Sequence, residues 1–327
     1  AFGVASMPSY LLSRRPPLVA TLYTIALILL GLIFVAGTVV KGAQSRFDVG
    51  FAIQPSELAK LVLIIVLAKY FARRHVEIGQ FRHIFVSGVY AGLMCGLVFL
   101  QPDFGGAIIM ACIWLGMVLV AGISWKHLGA LALTGLIVAG GLWTTVLQDY
   151  QKARIMTFIH PLADIRGAGY NAYQSTVAVG SGELTGKGIG FGTQSKLRFL
   201  PEYQTDFIFA AYAEEWGFLG VLLLIGLYAI VVVRTLTIAS RGADNFAVLF
   251  GVGVAMLFLS HFIVHMGMNM GLLPVTGTTI PFMSYGGSHL IIEFVALGIL
   301  MGLSHRSRLA ERVEDHTEGV GRGIYSP

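Results

Sequence analysis

Charge is what this sequence has least of. Only 12% of its 327 residues are Asp, Glu, Lys or Arg, against 56% hydrophobic. A soluble globular chain carries about 25% charged and 45–50% apolar residues. The scarcity excludes a soluble domain and a disordered chain alike. Cysteine is nearly missing: Cys95 and Cys112 both lie inside apolar runs, where buried small hydrophobes are the ordinary reading and a disulfide scaffold is excluded. Proline is low, at 10 residues, and the 41 glycines follow no collagen-like period. No signal peptide is visible. The chain opens on Ala1 inside an apolar segment, and we expect sequence to precede it.

What is present is a series of apolar runs of about 20 residues, the length a helix needs to cross a bilayer. We read eight full spans, near 18–40, 57–72, 84–100, 107–122, 128–147, 207–233, 246–266 and 288–303, with residues 1–12 as the remnant of an earlier one. Backbone groups in lipid must be satisfied internally, so these are expected to be helices, and strict strand alternation is lacking. The fold class is all-α, a polytopic integral membrane protein. The net charge of +5 is read loop by loop. Arg14, Arg15, Arg73, Arg74, Arg82, Lys126, Arg234, Arg241, Arg306, Arg308 and Arg312 fall on one side, and Lys41 and Arg46 are alone in the short loops opposite. The basic side is cytoplasmic by the positive-inside rule, which puts the C-terminus there too. Residues 1–310 form one transmembrane domain. Residues 148–206 form a long polar, glycine-rich outer loop, and 311–327 a flexible cytoplasmic tail.

Charged groups at membrane depth usually mark function. Four polar stretches qualify, all at the outer ends of spans. In Gln54–Lys60, Glu57 and Lys60 are three apart and share a helix face, so they either neutralise each other or line a polar cavity. In Gln101–Gly106, Asp103 either caps the next helix or faces the same cavity. In Leu200–Phe207, Asp206 opens the sixth span at the point where the long loop meets the membrane, as a cap or as a reactive carboxylate. Glu214 and Glu215 cannot both share its face at 100° per residue, so at least one is expected to be tied up in packing. Pro274–Ser288 is too polar and broken to span. Two further signals are set aside. The glycines of 186–192 resemble a phosphate-cradling loop, but no strand precedes them. His261 and His265, one turn apart, lack a third metal ligand and are expected to be a packed, hydrogen-bonded pair.

Taken together, these stretches resemble the SEDS family (shape, elongation, division and sporulation). The resemblance rests on Gln54–Lys60, Gln101–Gly105, Ala168–Gly182, Gly192–Gly217 and Gly271–Ser288, in that order along nearly the whole chain. Gly192-Thr193-Gln194 and Gly271–Gly277 place it nearer the rod-shape branch than the division branch. Two positions depart from the family. Ser45-Arg46-Phe47 stands where Arg-Trp is common, and His289 where a second small Ser is common. Family members usually have ten spans.

The resemblance implies a peptidoglycan glycosyltransferase in the bacterial plasma membrane, with its catalytic face on the outer side. It would polymerise lipid II during cell elongation by inverting transfer, with undecaprenyl pyrophosphate as leaving group. Asp206 matches the family's catalytic Asp, and a positioned carboxylate suits proton removal from a sugar hydroxyl. Glu57, Lys60 and Asp103 would line the cavity, and Gln174 and Ser284 would contact sugar. Lys60, Lys187, Lys196 or Arg198 would neutralise the pyrophosphate. No organic cofactor is implied; a divalent cation such as Mg2+, held by Asp103 and Asp206, stays open. The implied partners are a class B penicillin-binding transpeptidase and other elongation-complex proteins, with no nucleic acid. The main competing reading is a lipid II flippase, followed by a secondary transporter and a scaffold.

Overall fold

The computed structural model describes residues 12, 15–40, 43–48, 52–73, 81–160, 169–197 and 199–323. The remnant at 1–12 therefore lies outside the described residues except for Leu12. Helices carry every span: α1 (Pro16–Ala36), α2 (Pro55–Ala72), α3 (Phe81–Leu100), α4 (Phe104–Ala121), α5 (Trp125–Thr145), α9 (Ile208–Ser240), α10 (Asn245–Asn269) and α11 (Gly287–Gly323). Seven are long and apolar enough to cross a membrane, counting α11 as Gly287–His305; α2 is not among them. The eighth expected span is nonetheless an 18-residue helix, almost wholly buried. It falls short by composition because it carries Glu57, Lys60 and Lys69.

Between α1 and α2 runs a small antiparallel ribbon of β1 (Thr38–Val40), β2 (Ala43–Asp48) and β3 (Ala52–Ile53), in spatial order β1-β2-β3. The long loop holds structure of its own: α6 (Asp149–Ile159), α7 (Tyr170–Ser181) and a single turn α8 (Thr193–Lys196). Beyond the membrane, α11 continues as helix to Gly323, through most of the expected tail.

The centre of the molecule is α10, which packs on α2, α4 and α9. Small residues let the helices close up, as membrane packing favours. A Cβ on Gly253 would lie 2.5 Å from Ile64 of α2, and one on Gly116 would lie 2.3 Å from Met256 of α10. In contrast, α5 buries none of its residues, as expected of a helix facing lipid on every side. Caps fall where the sequence supplies them: Asp103 accepts from Gly106 N, Ser124 from His127 N and Asp244 from Ala247 N.

The long helix α9 is broken. Gly217 has φ +64° and ψ −166°, outside the helical region. Chain from 183–188 fills the break. Lys187 N and Gly188 N donate to Glu214 O and Glu215 O, and Phe218 N and Leu219 N donate to Glu183 O and Leu184 O. Irregular backbone at this depth is tolerated only where protein covers it, and here four hydrogen bonds cover it.

Candidate active site

Asp206 sits in a turn that precedes α9. Thr205 N and Phe207 N both donate to Glu202 O, closing the turn. The helix cap position falls on Phe207, whose side chain offers no acceptor; Asp206 is one residue outside it and half-buried. The segment between α10 and α11, 270–286, wraps this turn. Tyr285 N donates to Gln204 O at 2.9 Å, and Ser284 Oγ donates to Thr205 O at 2.9 Å. Asn269 Nδ2 donates to Asp206 O at 3.1 Å. Ser284, expected to touch sugar, is buried, and its Oγ also accepts from Ile280 N. Its role here is to hold the turn.

Asp103 and Asp206 flank one strand of chain. A Cβ on Gly105 would meet Thr278 Cγ2 at 2.4 Å and Thr276 O at 3.0 Å, whereas a Cβ on Gly277 would meet Asp206 Oδ2 at 3.6 Å. The Asp103 carboxylate accepts three hydrogen bonds. Oδ1 caps Gly106 N, and Oδ2 accepts from Ser56 Oγ at 3.0 Å and Gln54 Nε2 at 3.2 Å. This ties the start of α4 to the start of α2.

Glu57 and Lys60 form the expected pair, at 2.8 Å, both buried. Three further groups join them. Lys60 Nζ lies 3.0 Å from His261 Nε2, Glu57 Oε2 lies 3.1 Å from His289 Nδ1, and His289 Nε2 lies 2.8 Å from Glu293 Oε1. His261 Nδ1 donates to Thr279 O, which leaves Nε2 to accept from the ammonium. His265 Nδ1 donates to Thr278 O at 2.7 Å. The expected packed histidines are thus confirmed, and each grips the loop that faces Asp206. Glu57, His261 and His289 do bring three potential metal-ligand atoms within 4.8 Å of one another. The Lys60 ammonium already bonds two of those residues, and two imidazoles do not suit Mg2+, which prefers oxygen.

The basic candidates divide. Lys187 is ion-paired to Glu214 at 2.8 Å, and Glu214 also accepts from Thr193 N, Thr193 Oγ1 and Gln194 N. Glu214 is the glutamate tied up in packing. Lys196 is exposed, with Nζ 5.7 Å over the Phe191 ring. Arg198 lies outside the described residues. Gln174 is half-buried on α7, next to Ser175, which bonds Asn269. Arg154, on α6, lines a small cleft with Pro102, Gln151 and Thr276. One turn below Asp206, Val179, Phe209, Val221, Met266 and Met270 line an apolar groove of about 230 Å³.

Sequence reasoning missed Asn269, His289, Glu293, Ser175 and Arg154 as members of these clusters. His261, His265 and Asn269 fall at i, i+4 and i+8, a polar stripe on an apolar helix, and that spacing was the available signal. His289 and Glu293 repeat the i, i+4 spacing on α11.

The comparisons agree with one another. The FtsW/RodA/SpoVE description, "Cell cycle protein", matches residues 4–309. Peptidoglycan glycosyltransferase MrdB of Escherichia coli K12 is 39% identical over 294 residues, covering 89% of this chain and 79% of that protein. Stage V sporulation protein E of Bacillus subtilis is 38% identical over 284 residues, covering 86% of this chain and 77% of its own length. A chain from the solved structure of a peptidoglycan synthase complex that coordinates polymerization and crosslinking superposes with a TM-score of 0.76 at 32% identity, covering 93% of this chain and 87% of that one. The crystal structure of Thermus thermophilus rod shape determining protein RodA gives 0.65 at 30%, covering 93% and 85%.

Proposed function

Because the chain belongs to the FtsW/RodA/SpoVE family of cell cycle proteins, we infer its chemistry from that membership joined to the geometry above. It is a multi-pass membrane enzyme, a peptidoglycan glycosyltransferase of cell elongation. Its substrate is lipid II, and the reaction joins one lipid-linked disaccharide to the next. The acceptor GlcNAc 4-hydroxyl attacks the anomeric carbon of the donor MurNAc. The C1–O bond to pyrophosphate breaks, its electron pair leaves with undecaprenyl pyrophosphate, and the configuration inverts from α to β.

Asp206 takes the hydroxyl proton. The observation that carries this assignment is the fixed turn around it: three successive carbonyls, of Gln204, Thr205 and Asp206, each held by a separate donor. A general base contributes about 10²–10⁴-fold when its geometry is fixed. The groove beside Phe209 suits a polyprenyl chain, which would hold a lipid-linked substrate one turn from the carboxylate. Charge on the departing pyrophosphate falls to Lys196 at the outer mouth. Lys60 and Lys187 are already paired with Glu57 and Glu214. Gln174 remains a sugar contact in this reading. The outer face is the catalytic one, and the transpeptidase partner is a class B penicillin-binding protein, a reading supported by the likeness to the peptidoglycan synthase complex.

The test is polymerisation of labelled lipid II by the complete protein with its transpeptidase, wild type against Asp206→Asn. Glycan strands from wild type, and at least 100-fold less from a folded Asp206→Asn, support the base. Equal product from both overturns it. Transfer of lipid II across vesicles with no polymer from wild type would move the assignment to a flippase.

A further inference from the structure

We propose that Asn269 is the positioning residue that fixes the catalytic turn, and that Ser175 anchors it from α7; the inference rests on Asp206 as the base. Asn269 is fully buried at the last position of α10. Its amide has two donor hydrogens and an oxygen with two acceptor sites, and all four are used. Nδ2 donates to Asp206 O at 3.1 Å and to His265 O at 2.8 Å. Oδ1 accepts from Ala210 N at 3.3 Å and from Ser175 Oγ at 3.2 Å.

The two carbonyls and the Ala210 N–H determine which way the amide points; the Ser175 hydroxyl, which can donate or accept, fits either way. Turning it over would set Oδ1 against two carbonyls and Nδ2 against a backbone N–H. The same side chain therefore spans the start of α9, bonding the carbonyl of residue 206 and the amide of residue 210. It joins the peptide that carries the base to the first turn of the helix behind it. The single Ser175 hydroxyl proton is shared between the main-chain and side-chain oxygens of Asn269, at 2.9 and 3.2 Å, so α7 anchors the strut from the far side. Ser284 and Tyr285 hold only the two preceding carbonyls. The Asn269 side chain bonds the peptide of Asp206 itself.

A strut of this kind acts on where the carboxylate sits in the transition state and leaves substrate capture alone. A misplacement of about 1 Å can cost on the order of 100-fold in turnover. Asn269→Asp keeps the shape, loses both donors and faces two carbonyls with oxygen. Asn269→Ala removes the strut without adding charge. Ser175→Ala removes only the group that anchors it to α7.

The complete protein with its transpeptidase would be assayed on labelled lipid II for kcat and KM separately, with melting temperature recorded for each variant. We expect kcat to fall at least 30-fold in Asn269→Ala and further in Asn269→Asp, with KM within threefold of wild type. Ser175→Ala, the variant least able to disturb folding, should lose about three- to tenfold in kcat. Loss of kcat in parallel with KM or with melting temperature in Ser175→Ala would mean a merely structural role and overturn the proposal. So would unchanged kcat in a folded Asn269→Ala. Asp206→Asn separates the two claims. If it is inactive while the Asn269 and Ser175 variants turn over normally, the base stands and the strut falls. If it is active, the base itself is wrong.

Discussion

A buried ammonium needs partners for its N–H groups, and Lys60 finds them in Glu57 and His261, at 2.8 and 3.0 Å. Breaking a buried pair from one side leaves an uncompensated charge and costs about 3–5 kcal/mol. Lys60→Met is expected to lower the melting temperature sharply in detergent, and Glu57→Gln/Lys60→Met to recover much of the loss. An additive double variant would show that the two groups are not coupled. The pair itself could be read from the sequence, because three residues on one helix fix a shared face. His289 and Glu293 could not be joined to it, because the contact crosses 232 positions of chain and no local period reports on that. Asp206 was visible for the opposite reason. It is a charge at the edge of an apolar run, and a sequence shows such an edge directly. Its supports are not local: Asn269 lies 63 residues away and Ser284 is 79 from Thr205.

At the scale of elements, α9 carries the lesson. The stretch from 207 on reads as one span interrupted only by Glu214 and Glu215, and an isolated glycine inside such a span is ordinarily tolerated as helix. The structure breaks there because a Cβ on Gly217 would stand 2.2 Å from Gly186 N and 2.7 Å from Thr185 C. The approaching loop is the cause, and the loop is remote in sequence. Gly217→Ala adds a strained positive φ, costing roughly 1–3 kcal/mol, on top of a collision with backbone. We expect this variant to expel residues 183–188 from the break, measured as faster proteolysis within 183–192 in the purified protein. Unchanged cleavage would show that the loop is held elsewhere. Glu214→Gln keeps the shape but weakens the bonds from Lys187 and Thr193. It should loosen the same loop to a smaller degree, read by the same digestion.

For the whole molecule, lipid does most of the specifying. A bilayer demands segments of about 20 residues with satisfied backbones, so the spans were legible at once, and α2 too despite its charges. The outer loop was not. Its helices α7 and α8 are set by docking onto the spans α9 and α10, and only a polar, glycine-rich composition showed beforehand. The orientation assigned from the basic loops is directly measurable. In intact cells, with Cys95 and Cys112 replaced, a membrane-impermeant thiol reagent is expected to label Leu197→Cys and to spare Lys126→Cys; both positions are exposed. The reverse pattern would turn the molecule over.

The donors around residues 204–206 have one more consequence. Asn269, Ser284 and Tyr285 all follow Asp206 in the chain, so each is translated after it. A ribosome that has threaded α9 into the membrane has delivered the carboxylate but none of the three groups that hold its turn. The turn is therefore completed only after the segment leading into α11 has emerged.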